Sequence, residues 1–346
     1  MRALVTGGAG FIGSNTVLRL LERGDEVVVY DNLVRKGTRR NLEWLREKGP
    51  FEFVQADVRD YDALLEVFDG DEFDAVIHLA SQVAVTTSVV DPREDFEINA
   101  LGTFNVLEAI RESRSDPVVI FASTNKVYGG MEGIRITEQN GRYFYKDYPG
   151  GISESCLLDF HSPYGCSKGC GDQYVRDYAR IYGLRTVVFR QSCIYGPRQF
   201  GIEDQGWLAW FTIAALSGKP ITIYGDGRQV RDVLWVEDLI DAYLLAIEKA
   251  ELVKGRIYNV GGGPDNALAI WAECGKYLEE LMGGKIRVNY ADWRPGDQIC
   301  CVLDITRARE DLGWRPRMGC REGIKALWSW VNENLDVINE ELEQPN

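Results

Sequence analysis

Short apolar, β-branched runs alternate along the first half of the chain with segments whose apolar positions recur every three to four residues. Ala3–Thr6, Glu26–Tyr30, Phe51–Gln55, Ala75–Leu79, Val118–Phe121 and Thr186–Phe189 are predicted as buried strands. Gly13–Arg23, Asn41–Lys48, Asp60–Phe68, Phe96–Glu112 and Tyr164–Tyr182 carry helical periodicity between them. Strand–helix alternation of this kind predicts an α/β fold, a doubly wound parallel sheet covered by helices on both faces. After about Gln191 the pattern loses regularity and gains tryptophan, with eight of the nine Trp beyond residue 206. A second, smaller α/β lobe is predicted there, formed by 191–234 and 266–346. Val236–Glu248 and Arg256–Val260 are expected to return as a helix and a strand to a first lobe of 1–190 plus 235–265.

Charge narrows the partners. The formal net charge is −14 at pH 7, which argues against a nucleic-acid footprint and against docking on an anionic membrane. No run approaches the roughly 18–20 apolar residues of a membrane span. The opening MRALVTGGAG is a strand running into a glycine turn and does not resemble a signal peptide. Only His78 and His161 are present, so neither a histidine-rich metal site nor a histidine-driven centre is expected. The eight cysteines form no CxxC pair, and Cys166 and Cys170 have no adjacent His. No metal site is expected, and reduced thiols in a cytoplasmic protein are.

Chemistry enters with the first turn. Gly7-Gly8-Ala9-Gly10-Phe11-Ile12-Gly13 follows the first strand and opens the first helix. Glycines there permit a tight turn and let backbone N–H groups approach a pyrophosphate at the helix N-terminus. A glycine turn alone is weak, but Asp31 closes the second strand eighteen residues beyond Gly13. A carboxylate at that place accepts ribose hydroxyls and repels a 2′-phosphate, which favours NAD over NADP. Arg35 and Lys36 follow closely; they either clamp a phosphate or form a solvated basic turn. Asp57, after the third strand, either meets the adenine or caps the next helix.

Tyr164-Gly-Cys-Ser-Lys168 puts Tyr and Lys at i and i+4, on one helix face. A cation near a phenol favours phenolate. Bringing a Tyr pKa from about 10 toward 7 requires roughly 4 kcal/mol of differential stabilisation. A tuned phenol can serve as general base toward an alcohol whose hydride goes to NAD. The alternative for this pair alone is a surface contact.

The combination TGGAGFIG, Asp31, ASTNKVYG and YxxxK resembles the extended short-chain dehydrogenase/reductase family of nucleotide-sugar enzymes, over essentially the whole chain. Within it, DNLVRKG, STNKVYG, DFHSPYGCSKG, DYARIYGL and DQGW resemble the branch that inverts C2 of CDP-hexoses of the paratose/tyvelose type. The resemblance implies a Rossmann-type first lobe, bound NAD, a CDP-sugar substrate, a transient 2-keto sugar and a homodimer. It implies Thr124, Tyr164 and Lys168 as catalytic. It implies that the cofactor is held by Gly7, Gly10, Phe11, Ile12, Gly13, Asp31, Asn32, Asp57, Val58, Leu79, Ala80, Asn99, Tyr164 and Lys168. It assigns the substrate to Thr86, Thr124, Gln205, Gly206, Tyr224, Arg231 and Arg294. Thr86 and Thr87 either face the sugar or cap a helix, and Trp207 either stacks on the base or packs in the core. Sugar 4,6-dehydratases of the family carry Asp-Glu after the Thr. Here Asn125 and Lys126 stand there, so water elimination is disfavoured. Many C4 epimerases carry a substrate-binding Asn where this chain has Cys193. A C4 epimerase of a UDP-sugar and a non-catalytic NAD-binding sensor remain as alternatives.

Overall fold

The computed structural model describes every residue except 71, 114, 295 and 344–346. The first lobe builds β1 (Arg2–Thr6), α1 (Phe11–Glu22), β2 (Glu26–Tyr30), α2 (Thr38–Arg46), β3 (Glu52–Val54), α3 (Tyr61–Asp69) and β4 (Ala75–His78) in turn. It continues with α4 (Val85–Val90), α5 (Pro92–Phe96), α6 (Gly102–Glu112), β5 (Val118–Thr124), a small hairpin of β6 (Ile136–Gln139) and β7 (Arg142–Tyr145), α7 (Ser162–Ile181) and β8 (Arg185–Gln191). The second lobe contributes β9 (Cys193–Tyr195), α8 (Trp207–Leu216), β10 (Ile221–Tyr224) and β11 (Val230–Trp235). The chain then returns with α9 (Val236–Glu248), α10 (Ala250–Val253) and β12 (Arg256–Val260). It ends with β13 (Ala267–Ala269), α11 (Cys274–Met282), β14 (Val288–Ala291), β15 (Cys300–Cys301), α12 (Thr306–Leu312), α13 (Cys320–Glu333) and α14 (Leu335–Glu343).

Seven strands form one parallel sheet in the order β12-β8-β5-β4-β1-β2-β3. The predicted α/β class is therefore correct, and the reason is visible in the packing. Both faces of these strands are covered: α1, α2 and α9 close one side, and α3, α6 and α7 the other. A strand buried on both faces cannot alternate polar and apolar positions, hence the continuous apolar runs. The chain order reverses between β1 and β4, so a crevice opens outside their carboxyl ends. Thr6 and His78 end those two strands and hydrogen-bond at 2.7 Å. Burial, with the nearby charge of Lys168, pushes the His78 imidazole down to about 3, so it is neutral.

Two boundaries differ from expectation. The predicted helix Phe96–Glu112 is broken into α5, a π-helical turn at Glu97–Leu101 and α6. Asn99 sits within that wide turn, buried and turned toward the loop after β4. The predicted second lobe includes 306–314. Ala308, Leu312 and Trp314 instead pack into the first lobe's core beside α9. There the indole N–H of Trp314 donates to the Asp238 carbonyl at 2.7 Å. Those apolar positions cover α9 and β12, which would otherwise face solvent. The second lobe has a core of its own in which α8, apolar around its whole circumference, sits between β10, β11, α11 and α13. Among the described residues no helix is long and apolar enough to cross a membrane.

Candidate active site

The glycine turn is built as a cradle. Gly7 has φ +68° and lies against Leu79 and Ala80: a Cβ there would stand 2.7 Å from the Ala80 nitrogen. Any side chain would both strain the backbone and fill the turn. Gly13 faces the Gly7 carbonyl so closely that a Cβ would collide with it, which keeps α1 tight against β1. Leu79 N–H and Ala80 N–H donate to Thr6 Oγ1 at 3.2 and 3.3 Å, tying the β4 end to the turn. α1 starts at Phe11 and Ile12 with Gly10 as N-cap, and no side chain caps it. Its leading N–H groups and positive dipole end therefore face the crevice without a side-chain N-cap.

Asp31 stands beside this turn, buried. Its carboxylate accepts from Ala9 N–H at 3.0 Å and Leu33 N–H at 2.8 Å. Burial pushes its pKa up, against those two bonds and the Arg35 charge. Asn32 donates from Nδ2 to Asp57 Oδ2 at 2.8 Å, and Arg59 pairs with the same carboxylate. Asp57 does not cap α3; Asp60 does. Val58 is buried under Gly102. Cradle, uncapped helix N-terminus and buried carboxylate together fit a dinucleotide with free ribose hydroxyls.

Tyr164 and Thr124 come together across the crevice. Thr124 ends β5, and its hydroxyl accepts from Lys126 N–H at 3.3 Å. It also stands near enough to the Tyr164 phenol to favour phenolate. Burial outweighs this and pushes Tyr164 up to about 12, with the nearby Asp95 charge adding to the rise. The cation that opposes the rise is Arg35. Lys168 is differently engaged from the simple i, i+4 picture. Its ammonium lies 4.5 Å over the Phe121 ring. Burial pulls it down to about 8, while the charges of Asp172 and Asp95 hold it up. A buried ammonium is drawn toward carboxylates, and both are supplied from the wall behind it.

Nothing in the sequence pattern announces that wall. Asp95 accepts from Ser167 Oγ at 2.5 Å, Gln82 Nε2 at 2.9 Å and Asn99 Nδ2 at 3.1 Å. Asn99 also donates to the Gln82 carbonyl and to Ser167 Oγ, and accepts from Ser81 Oγ and Gln82 N–H. Its amide is thus spent on holding the 81–82 loop to α7. Asp172 grips Arg190 through two bonds of 2.9 Å and accepts from Ser123 Oγ at 2.7 Å.

The second lobe faces these groups with charge. Arg231 Nη2 donates to Asp297 Oδ1 at 2.7 Å, and Lys126 Nζ lies 3.8 Å from the same oxygen. Two cations share one carboxylate. No local pattern marks Lys126 or Asp297 as site residues; an Asp three residues after Arg294 is the available signal. Arg294 pairs with Asp204 at 2.9 Å and stacks 3.8 Å over the Tyr224 ring, whose hydroxyl donates to Glu203 at 2.9 Å. Pro295, in the same run, lies outside the described residues. Gln205 accepts from Arg35 at 3.1 Å, and Gly206 is the N-cap of α8. Thr86 Oγ1 is buried and has no hydrogen-bond partner among the described residues. Trp207 meets Phe211 edge-on at 5.5 Å in the second core. The thiol of Cys193 is pushed up by burial, with Arg231 opposing.

The sequence profile of the family described as NAD dependent epimerase/dehydratase matches residues 3–261. The chain is 44% identical to the CDP-paratose 2-epimerase of Salmonella typhi, over 96% of this chain and 99% of that one. It is 36% identical to the UDP-glucose 4-epimerase of Mycolicibacterium smegmatis, over 94% and 96%. A solved dTDP-glucose 4,6-dehydratase of Streptomyces venezuelae with NAD bound superposes with TM-score 0.84 at 30% identity, covering 99% of this chain and 100% of that one. The relatives are nucleotide-sugar enzymes, which sets aside the sensor alternative. The cradle, the carboxylate beside it and these matches carry one conclusion: the chain belongs to the NAD dependent epimerase/dehydratase family.

Proposed function

We propose that this enzyme inverts C2 of a CDP-linked hexose of the paratose/tyvelose type. The observation that carries the reading is the near-complete match to the Salmonella typhi relative. Bound NAD would supply a hydride acceptor that takes hydrogen from C2 and returns it to the opposite face of a transient 2-keto sugar. Gly7, Gly10, Phe11, Ile12 and Gly13 hold its pyrophosphate; Asp31 holds its adenosine ribose, with Asn32, Asp57 and Val58 lining the adenine side. Leu79 and Ala80 back the nicotinamide side, and Asn99 acts through the loop it braces.

Tyr164 takes the proton from the C2 hydroxyl oxygen and later gives it back, with Thr124 donating to the same oxygen. Its high starting pKa is the reason charge is needed. Lys168 and the cationic cofactor lower it when the site is filled, each tenfold gain in phenolate requiring about 1.4 kcal/mol of favourable charge interaction. Arg231 and Arg294 hold the diphosphate. Gln205, Gly206 and Tyr224 hold the nucleoside, and Thr86 turns its unpartnered hydroxyl to the sugar. Asn125 and Lys126 offer no carboxylate for eliminating water. One base suffices because the sugar, not the protein, turns over.

C4 inversion of a UDP-sugar is the second reading, favoured by the UDP-glucose 4-epimerase relatives. Incubation with CDP-, GDP- and UDP-sugars in deuterated solvent, followed by proton NMR, separates the two. The expected result is C2 inversion of the CDP-sugar with no solvent deuterium at C2. Inversion at C4 with a UDP-sugar in its place defeats the reading, and deuterium at C2 defeats the hydride route.

We also propose a cytoplasmic homodimer. All eight cysteines are free thiols, in keeping with a reducing compartment. Leu101, Phe104, Tyr174, Ile181 and Tyr182 stay exposed along α6 and α7, a patch suited to self-pairing. Phe104→Asp is expected to give a monomer by light scattering; an unchanged mass for that variant and wild type alike removes the proposed interface.

A further inference from the structure

The basic run after Asp31 reaches across to the second lobe and to α14. Arg35 Nη2 donates to Gln205 Oε1 across the crevice at 3.1 Å. Lys36 Nζ donates to the Leu342 carbonyl at 3.0 Å. Arg40 donates from Nε to Glu341 and from Nη2 to Glu340, each at 3.1 Å. The backbone N–H of Gly37, the N-cap of α2, donates to Glu341 Oε1 at 2.7 Å. α2 has no cap from its own neighbourhood. A carboxylate 304 residues further along the chain caps it instead.

The far side of this seam is anchored. Ile338 of α14 is fully buried in the second core, and Ser217 Oγ donates to Asn339 Oδ1 at 3.0 Å. Phe200 lies against Gly37 and meets Trp330 edge-on. The near side reaches the glycine turn. Asn41 Nδ2 donates to the Ala9 carbonyl at 3.1 Å, and Asn41 Oδ1 accepts from Arg198 Nε at 3.0 Å. Asp31 accepts from that same Ala9. The loop joining Asp31 to α2 is therefore fixed at both ends, to the cradle on one side and to the second lobe on the other.

We infer that this seam retains the dinucleotide, with Glu341 as its positioning residue. Glu341 touches neither substrate nor cofactor; it holds the 32–37 loop and α2 against the turn and the carboxylate that fit the dinucleotide. Bound NAD then leaves only when α14 releases the loop. A redox-neutral cycle needs such retention, because cofactor lost between the two hydride steps strands the oxidised sugar. The inference requires NAD at the glycine turn and is independent of which sugar carbon reacts.

The test is the rate at which the NAD-loaded full-length protein releases NAD, read without any sugar by excess alcohol dehydrogenase and ethanol as a trap. Glu341→Ala is expected to speed release about tenfold or more, the scale of a lost cap and ion pair together. Glu341→Gln falls between, because its amide oxygen still accepts the Gly37 N–H while the pairing with Arg40 is gone. Arg135→Ala, which breaks an exposed pair with Asp147 elsewhere, leaves release unchanged. Release from Glu341→Ala within about twofold of wild type overturns the inference. So does faster amide exchange across 35–41 without faster release, the signature of a purely structural contact. If Glu341→Ala does not fold, Arg40→Met severs the seam from its other side and is judged by the same criterion.

Discussion

Tyr164→Phe is expected to lower kcat about a thousandfold, the middle of the range for removing a general acid–base. NAD content after purification should match wild type, because the phenol hydroxyl is lost while the ring still fills its buried place in α7. The measurement is turnover by NMR beside NAD released on denaturation. Activity within tenfold of wild type would end the assignment of Tyr164 as the base. The structure adds a reason to expect a large effect. The phenol is buried beside Thr124 and starts near 12. A group so placed contributes little to binding a neutral sugar ring and much to moving one proton.

Asp172→Ala is expected to cost about 3–5 kcal/mol of stability, read as a lower denaturation midpoint, because it strands a buried guanidinium. Asp172 and Arg190 are 0% and 2% exposed, and among the described residues Arg190 has only Tyr128 and a long contact to the Glu154 carbonyl besides. The double change Asp172→Leu with Arg190→Met should recover most of that loss, since an apolar pair of similar volume leaves no charge behind. The same single change acts on chemistry. The Asp172 charge helps hold Lys168 up at about 8, so its removal lowers the Lys168 pKa further. The ammonium is then lost at lower pH, and the alkaline fall in activity should move to lower pH. An unmoved alkaline limb would show that Lys168 need not be charged.

How much of this was legible in the sequence depends on the range of the interaction. The strands of the large sheet announced themselves because burial on both faces leaves continuous apolar runs. Glycines at 7, 10 and 13 with Asp31 were legible because the spacing is local and the backbone demand is absolute. The Thr124–Tyr164 contact followed from resemblance, not from spacing, since forty residues separate the two. What could not be read were pairings of single polar residues between distant elements. Asp172 with Arg190, Asp95 with Ser167, and Lys126 with Asp297 and Arg231 have no periodicity to betray them. The carboxylates of Asp172 and Asp95, which act on Lys168, are likewise invisible in a local helix pattern. Residues 306–314 returned to the first core because an amphipathic segment reports that it must be covered, not what covers it.

The position of β12 carries a consequence for how the chain assembles. The strand completes the large sheet next to β8, yet the whole of 192–255 is made between them. During synthesis β8 therefore stands as an open edge, a ready template for another strand, until Arg256–Val260 emerges. At about 5–20 residues per second that exposure lasts several seconds. Neither lobe can mature alone: the first waits for its last strand, and the second hangs from the excursion that delays it. Folding should be a single late event with high contact order, and splitting the chain near residue 190 should yield an aggregating fragment, not an independent dinucleotide-binding domain.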